Sequence, residues 1–269
     1  MAKLDDVSGD ILFDIARGEV AGYSMLYKYG QAAGVDSDAD VPIWDLTAAY
    51  PYRTSGIAMY ISGLAETGNY VFEGVDSDYN AIKGYATATA SGESAATKVE
   101  LLDSDGGTLL WYRIFRGWND GDTDMAGNIY VSDTAATVDS DGIPGAGESY
   151  AVIQPQHQQT MMCVYTVPAN HILYLFHIGA AITAETPAGT VAAQGADISF
   201  RTRLPGKVFR TKESTTVITT GASAIDFVFP PRQGLTEGTD IEMYVENATG
   251  TVSLDGRFWG VLRDLTIAP

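Results

Sequence analysis

One cysteine, three histidines and 16 basic residues are all that this chain of 269 residues offers to much of catalytic and nucleic-acid chemistry. A lone thiol, Cys163, excludes an intrachain disulfide and a cysteine-held zinc. It sits in the apolar run Met161-Met-Cys-Val-Tyr165, with no electropositive neighbour to activate it, so a small core residue is expected. No His-Glu-x-x-His pattern, no Gly-x-Ser-x-Gly elbow and no phosphate loop occurs; Gly142-Ile-Pro-Gly-Ala-Gly147 lacks the Lys-Ser/Thr that such a loop needs. His171 and His177 lie six apart on one strand, so they share a face at roughly 20 Å, too far for a common metal. Against the 16 basic residues stand 34 Asp and Glu, a net charge of −18, which argues against a nucleic-acid partner. Long apolar runs are missing too. Ile172 to Ile182 contains His177 and falls short of the ~18 residues of a membrane span. The start, Met1-Ala-Lys-Leu-Asp-Asp6, lacks the basic and apolar segments of a signal peptide, so synthesis in a cytosol and no membrane partner are expected.

What is present is a Gly- and Thr-rich chain, 45% hydrophobic, written in short apolar runs with polar turns between them. Three parts follow. Residues 1–50 read as an extended N-terminal arm. Leu4, Val7, Ile11, Leu12 and Ile15 recur at helical spacing and predict a short helix ending near Gly18. Residues 51–150 alternate strand candidates with turns such as Asp76-Ser-Asp78, Asp103-Ser-Asp-Gly106 and Asn119-Asp-Gly121. Residues 151–269 repeat that style. Ile241, Met243 and Val245 face one way in Asp240 to Glu246, as do Ile225, Phe227 and Phe229. Strands with one apolar face are covered when two antiparallel sheets stack, so the expectation is all-β: two jelly-roll-like β-sandwiches joined near Asp141 to Gln156, preceded by the arm.

Two features carry alternatives. Leu109 to Phe115 is apolar on both faces around Arg113. A covered central strand explains it; so does a subunit interface, for which Trp111, Arg113, Phe115 and Trp118 are the candidates. Alternating carboxylates at Asp36/Asp38/Asp40, Asp120/Asp122/Asp124 and Asp139/Asp141 are either plain turns or ligands of structural calcium, the one cofactor the sequence leaves open. Arg201, Arg203, Lys207, Arg210 and Lys212 form a basic cluster, either a solvated hairpin face or a dock for an acidic surface.

The order of several segments resembles a family of tailed-bacteriophage virion proteins. Gly22-Tyr-Ser-Met-Leu-Tyr-Lys-Tyr-Gly30 with Val35-Asp36 and Ile43-Trp44 is similar to that family's arm. Gly74-Val-Asp-Ser-Asp-Tyr-Asn80, Trp111-Tyr-Arg-Ile-Phe-Arg116 and Ala126-Gly-Asn-Ile-Tyr130 resemble its first β-domain. Gln159 to Pro168 resembles a Tyr-Thr-Val-Pro-Ala-Gly strand and turn of its second, with Asn170 in place of the glycine. Phe209-Arg-Thr-Lys212, Phe229-Pro-Pro231 and Glu237-Gly-Thr-Asp-Ile241 complete the match, which runs from about Gly18 to Leu262. The resemblance implies a non-enzymatic decoration (cement) protein on the capsid exterior of a virion, made in the host cytoplasm. It would be a homo-oligomer, the trimer being the usual form, with the major capsid protein as partner. A tail, neck or fibre protein binding a receptor or carbohydrate is the alternative. Under the first reading Tyr23, Met25, Leu26, Tyr27 and Tyr29 anchor the arm to capsid or neighbour, and Trp44 seats it on the first sandwich.

Overall fold

A computed structural model describes residues 11–36, 40–46, 48–63, 68–88, 97–145, 147–185, 194–228 and 234–268. Leu4, Val7, Asp38 and Phe229-Pro-Pro231, used in the sequence reading, lie outside them. The chain is all-β, with a single short helix among the described residues, α1 (Ile11–Ala16). The strands are β1 (Tyr23–Val35), β2 (Val41–Pro42), β3 (Met59–Gly63), β4 (Gly68–Val75), β5 (Ala81–Ala88), β6 (Val99–Glu100), β7 (Arg113–Asn119), β8 (Ile129–Asp133) and β9 (Ser149–Ile153). They continue with β10 (Val164–Thr166), β11 (His171–Ala184), β12 (Gln194–Arg203), β13 (Arg210–Thr219), β14 (Ala222–Val228), β15 (Leu235–Thr236), β16 (Asp240–Thr249) and β17 (Val252–Asp264).

Among the described residues, four antiparallel sheets make two stacked pairs. In the N-terminal pair, β6-β3-β8-β9 faces β5-β4-β7. Met59, Ile61, Ile129, Val131 and Ile153 from one sheet meet Tyr70, Phe72 and Ile114 from the other in one core. In the C-terminal pair, β1-β17-β11-β14, with β15 beside β11, faces β10-β16-β12-β13, with β2 beside β16. Phe258 of β17 meets Phe200 of β12 edge to face at 5.9 Å, tying the two layers.

Three expectations change. The arm is an integral strand of the chain's own sandwich, not a segment laid over capsid or neighbour. Tyr23 to Val35 form β1, the edge strand of a sandwich, in register with β17 from Tyr23 opposite Arg263 to Val35 opposite Val252. Ala32 and Val35 lie in the C-terminal core, with Leu26 packed against it. The alternation of Leu26, Lys28, Gly30 and Ala32 inward against Met25, Tyr27, Tyr29 and Gln31 outward is that of a half-covered strand. Gly30 lets the next segment close over β1: a Cβ there would lie 2.4 Å from the Cys163 nitrogen and 2.5 Å from the Ile43 oxygen.

The junction also moves. Ser149–Ile153 is a fully buried strand of the first sandwich, so the crossing falls after it, through Gln154 to Cys163. Even there the cores interlock, because Met162 and Val164 pack into the first core beside Trp44. The third change concerns Leu109 to Phe115. A β-bulge opposite Glu73/Gly74 leaves Phe115 as the extra residue of β7. Ile114 enters the first core, and Phe115 turns into the second, 4.7 Å from the Tyr165 ring. The strand is apolar on both faces because it serves two cores. Trp111, Arg113 and Phe115 are 0%, 3% and 8% exposed, so burial within the chain and not a subunit interface accounts for them.

Candidate functional site

The densest polar chemistry lies in the seam between the sandwiches. Asp240, at the start of β16, accepts from Arg113 of β7 through Nε at 3.2 Å and Nη2 at 3.3 Å. It also accepts from Arg203 of β12 at 3.0 and 2.5 Å, and from the Thr166 hydroxyl at 2.7 Å. Two residues on, Glu242 accepts from Arg201 and, at 2.9 Å, from the Tyr52 hydroxyl. Aromatic rings fill the gaps. The Arg203 guanidinium lies 4.2 Å from the Tyr52 ring centre and 4.4 Å from that of Phe209; Arg113 lies 3.9 Å from that of Tyr112. Burial raises the Glu242 carboxyl above its ordinary value, and the Arg201 hydrogen bond opposes that rise. Both acids are at least 95% buried and fully bonded, so the seam acts as a lock that holds two sandwiches together.

A second tie crosses from β1. Lys28 is buried, and its Nζ donates to the carbonyl of Phe115. Asp45, nearby, accepts from the Met161 amide at 2.6 Å. Desolvation lowers the Lys28 pKa from 10.5 to about 8 and raises that of Asp45 from 3.8 to about 8. The signs give a pH profile. Between pH 4 and 8 the folded chain holds a proton on Asp45 that the unfolded chain has released, so stability falls as pH rises. Between pH 8 and 10.5 the unfolded chain holds the Lys28 proton that the folded chain has lost, so stability rises again. Urea denaturation across that range is expected to show a minimum near pH 8, with Asp45→Asn flattening its acid limb; an unchanged acid limb in that variant would assign the minimum elsewhere.

The remaining sequence candidates separate. Trp44 is buried, donates from Nε1 to the Ala48 carbonyl at 2.7 Å and packs edge-on to Tyr50. Trp118 is half-buried between Lys83 and Arg116, and it donates to Asp120 at 3.1 Å. The acidic turns share one geometry: Asp76, Asp103 and Asp139 each accept, through Oδ1, the amides two and four residues on. That is the turn explanation of Asp139 and Asp141. Asp122 and Asp124 are exposed, and among the described residues no three His, Cys, Asp or Glu side chains gather in one cluster. Cys163 is buried and its thiol is pushed well up by desolvation, the state of an unreactive core residue. Of the basic cluster, Arg201 and Arg203 belong to the seam. Lys207, Arg210 and Lys212 stay exposed, beside Leu204 and Val208, which are 54% and 73% exposed.

Sequence reasoning missed the outer face of the β1-β17-β11-β14 sheet. Tyr27, Trp259, His177 and Val228 lie side by side across its four strands; Tyr29, Arg257, Gly179 and Asp226 form the next row. A bulge leaves Phe176 as the extra residue of β11. Phe176 and His177 therefore both reach the Trp259 ring, at 5.8 and 5.9 Å between centres. The same bulge puts His171, opposite Asp264, and His177, opposite Trp259, on opposite faces, not the shared face that simple alternation predicts. The signal was legible in β17, where Asp255, Arg257 and Trp259 alternate with buried Leu254, Gly256 and Phe258.

Comparison of the chain with models of known protein families, with curated proteins and with solved structures gives no match.

Proposed function

We propose that the chain is a non-enzymatic structural protein of a tailed-bacteriophage virion, a decoration protein seated on the outside of the head, self-associating and bound to the major capsid protein. The resemblance of its segments to that family supports the reading. One structural observation carries the docking: the turn between β12 and β13, where Lys207 and Arg210 stand exposed beside Leu204 and Val208 on a chain of net charge −18. An apolar tip ringed by cations fits an acidic capsid surface, because charge guides the encounter and apolar burial retains it. The seam supports the role as well, since a cementing body must not yield between its halves. The acidic remainder of the surface disfavours contact with packaged DNA.

The test is copy number and position on purified particles, by labelling the protein and imaging virions. Hundreds of copies over the head are the expected result, and Lys207→Glu with Arg210→Glu should strip them at physiological salt. A few copies confined to neck, tail or fibre would overturn the head assignment in favour of the tail-protein reading.

A further inference from the structure

On the outer face of the β1-β17-β11-β14 sheet, Arg257 Nη2 donates to Asp226 Oδ1 at 2.7 Å, and His177 Nε2 stands 3.2 Å from the same oxygen. The pair is 43% and 47% exposed, so solvent screening leaves it little stabilising effect. Yet the fold makes room for it. A Cβ on Gly179 would lie 2.3 Å from Asp226 Oδ1 and 2.7 Å from Arg257 Nε, so both groups occupy the space that a side chain on the strand beneath would take. A weak ion pair held in place this way is better explained by what its remaining donors and acceptors meet.

Its surroundings narrow the choice. On one side stand Trp259 and Tyr27, the latter 62% exposed although it is a large aromatic. On the other side is an open cleft of about 410 Å³, its mouth included, with Ala181 and Ala224 among its lining and Tyr29 and Asp255 at its wall. Asp255 Oδ1 takes no hydrogen-bond partner within the chain, which leaves that carboxylate with unused acceptor capacity at the wall. An apolar ring platform beside alternating fixed donors and acceptors matches a ligand that has both a flat C–H face and adjacent hydroxyls. A hexose has both: its C–H face stacks on an aromatic ring, and neighbouring hydroxyls accept from a guanidinium and donate to a carboxylate. One cation against two carboxylates, on a chain of −18, disfavours an anionic sugar.

We infer that this sheet face binds a neutral hexose-containing glycan, with Tyr27 and Trp259 as the stacking platform and Arg257, Asp226 and Asp255 as the hydroxyl partners. The inference is independent of where on a particle the protein sits, and its test uses the isolated full chain. Gluco-, manno- and galacto-oligosaccharides are titrated at millimolar concentration by calorimetry and by tryptophan fluorescence, with oligogalacturonate and hyaluronan fragments as the anionic set. At least one neutral oligosaccharide is expected to bind and to change the fluorescence. Tyr27→Ala and Arg257→Ala, at exposed positions and checked for an unchanged melting temperature, should each weaken it tenfold or more. Absence of binding by every neutral oligosaccharide, preference for the anionic set, or binding that both variants leave intact would each overturn the inference.

Discussion

Deletion of Met1 to Val35 is expected to unfold the C-terminal sandwich. The segment looks like an appendage in the sequence, but β1 is one of the four main strands of its sheet and covers the edge of β17 along Tyr23 to Val35. Its removal takes Leu26, Ala32 and Val35 out of the core and uncovers Leu254 and Phe258 behind them. Each lost Leu or Val burial costs about 1.5–3 kcal/mol, and the total stability of a domain is only about 5–15 kcal/mol, so the loss reaches the scale of the whole. Lys28 goes too, and with it the bond to the Phe115 carbonyl that joins the sandwiches. The expected result is a chain whose cooperative melting is reduced to the N-terminal sandwich, with loss of amide protection across β11 and β17. A truncated chain that melts as the whole one does would show that β1 adds nothing to the fold, and would restore the reading of this segment as an anchoring arm.

The second large effect lies in the seam. Arg113→Ala leaves Asp240 buried with Arg203 and Thr166 but without its bidentate partner from the other sandwich. Breaking one side of a buried pair costs about 3–5 kcal/mol, and that loss is expected in urea denaturation. Arg113→Lys should not restore it, because an ammonium cannot span both carboxylate oxygens while also donating to the Arg53 and Tyr112 carbonyls. The shape of the curve should change as well. With the seam cut, the two cores lose their strongest polar link, and one transition should split into two. A single transition at the original midpoint in Arg113→Ala would show that apolar contacts alone hold the halves together.

Much of the fold was legible in the chain. The alternation of Ile241, Met243 and Val245, or of Val252 to Phe258, identifies covered strands without any partner in view, because a strand buried on one face needs apolar residues at every second position. Turns at Asp76, Asp103 and Asp139 were legible for the same local reason: the carboxylate bonds its own backbone within four residues. Strand β9 was missed because all five of its residues are buried, which removes the alternation that marks a strand. The interface reading of Trp111 and Arg113 failed because an apolar strand looks the same whether its second face meets another chain or another core of its own.

Composition and local pattern by themselves determined the class: all-β, acidic, poor in the cysteine and histidine on which much catalysis rests. Pairing decided the rest. Sequence neighbours could not reveal that Tyr27 stands beside Trp259, or that Arg113 meets Asp240 across 127 positions. Those contacts depend on strand order and register, and the bulges in β7 and β11 set which face the neighbouring side chains take. A bulge shifts every later side chain to the opposite face, so the surface that results is a property of the folded sheet and not of any segment within it.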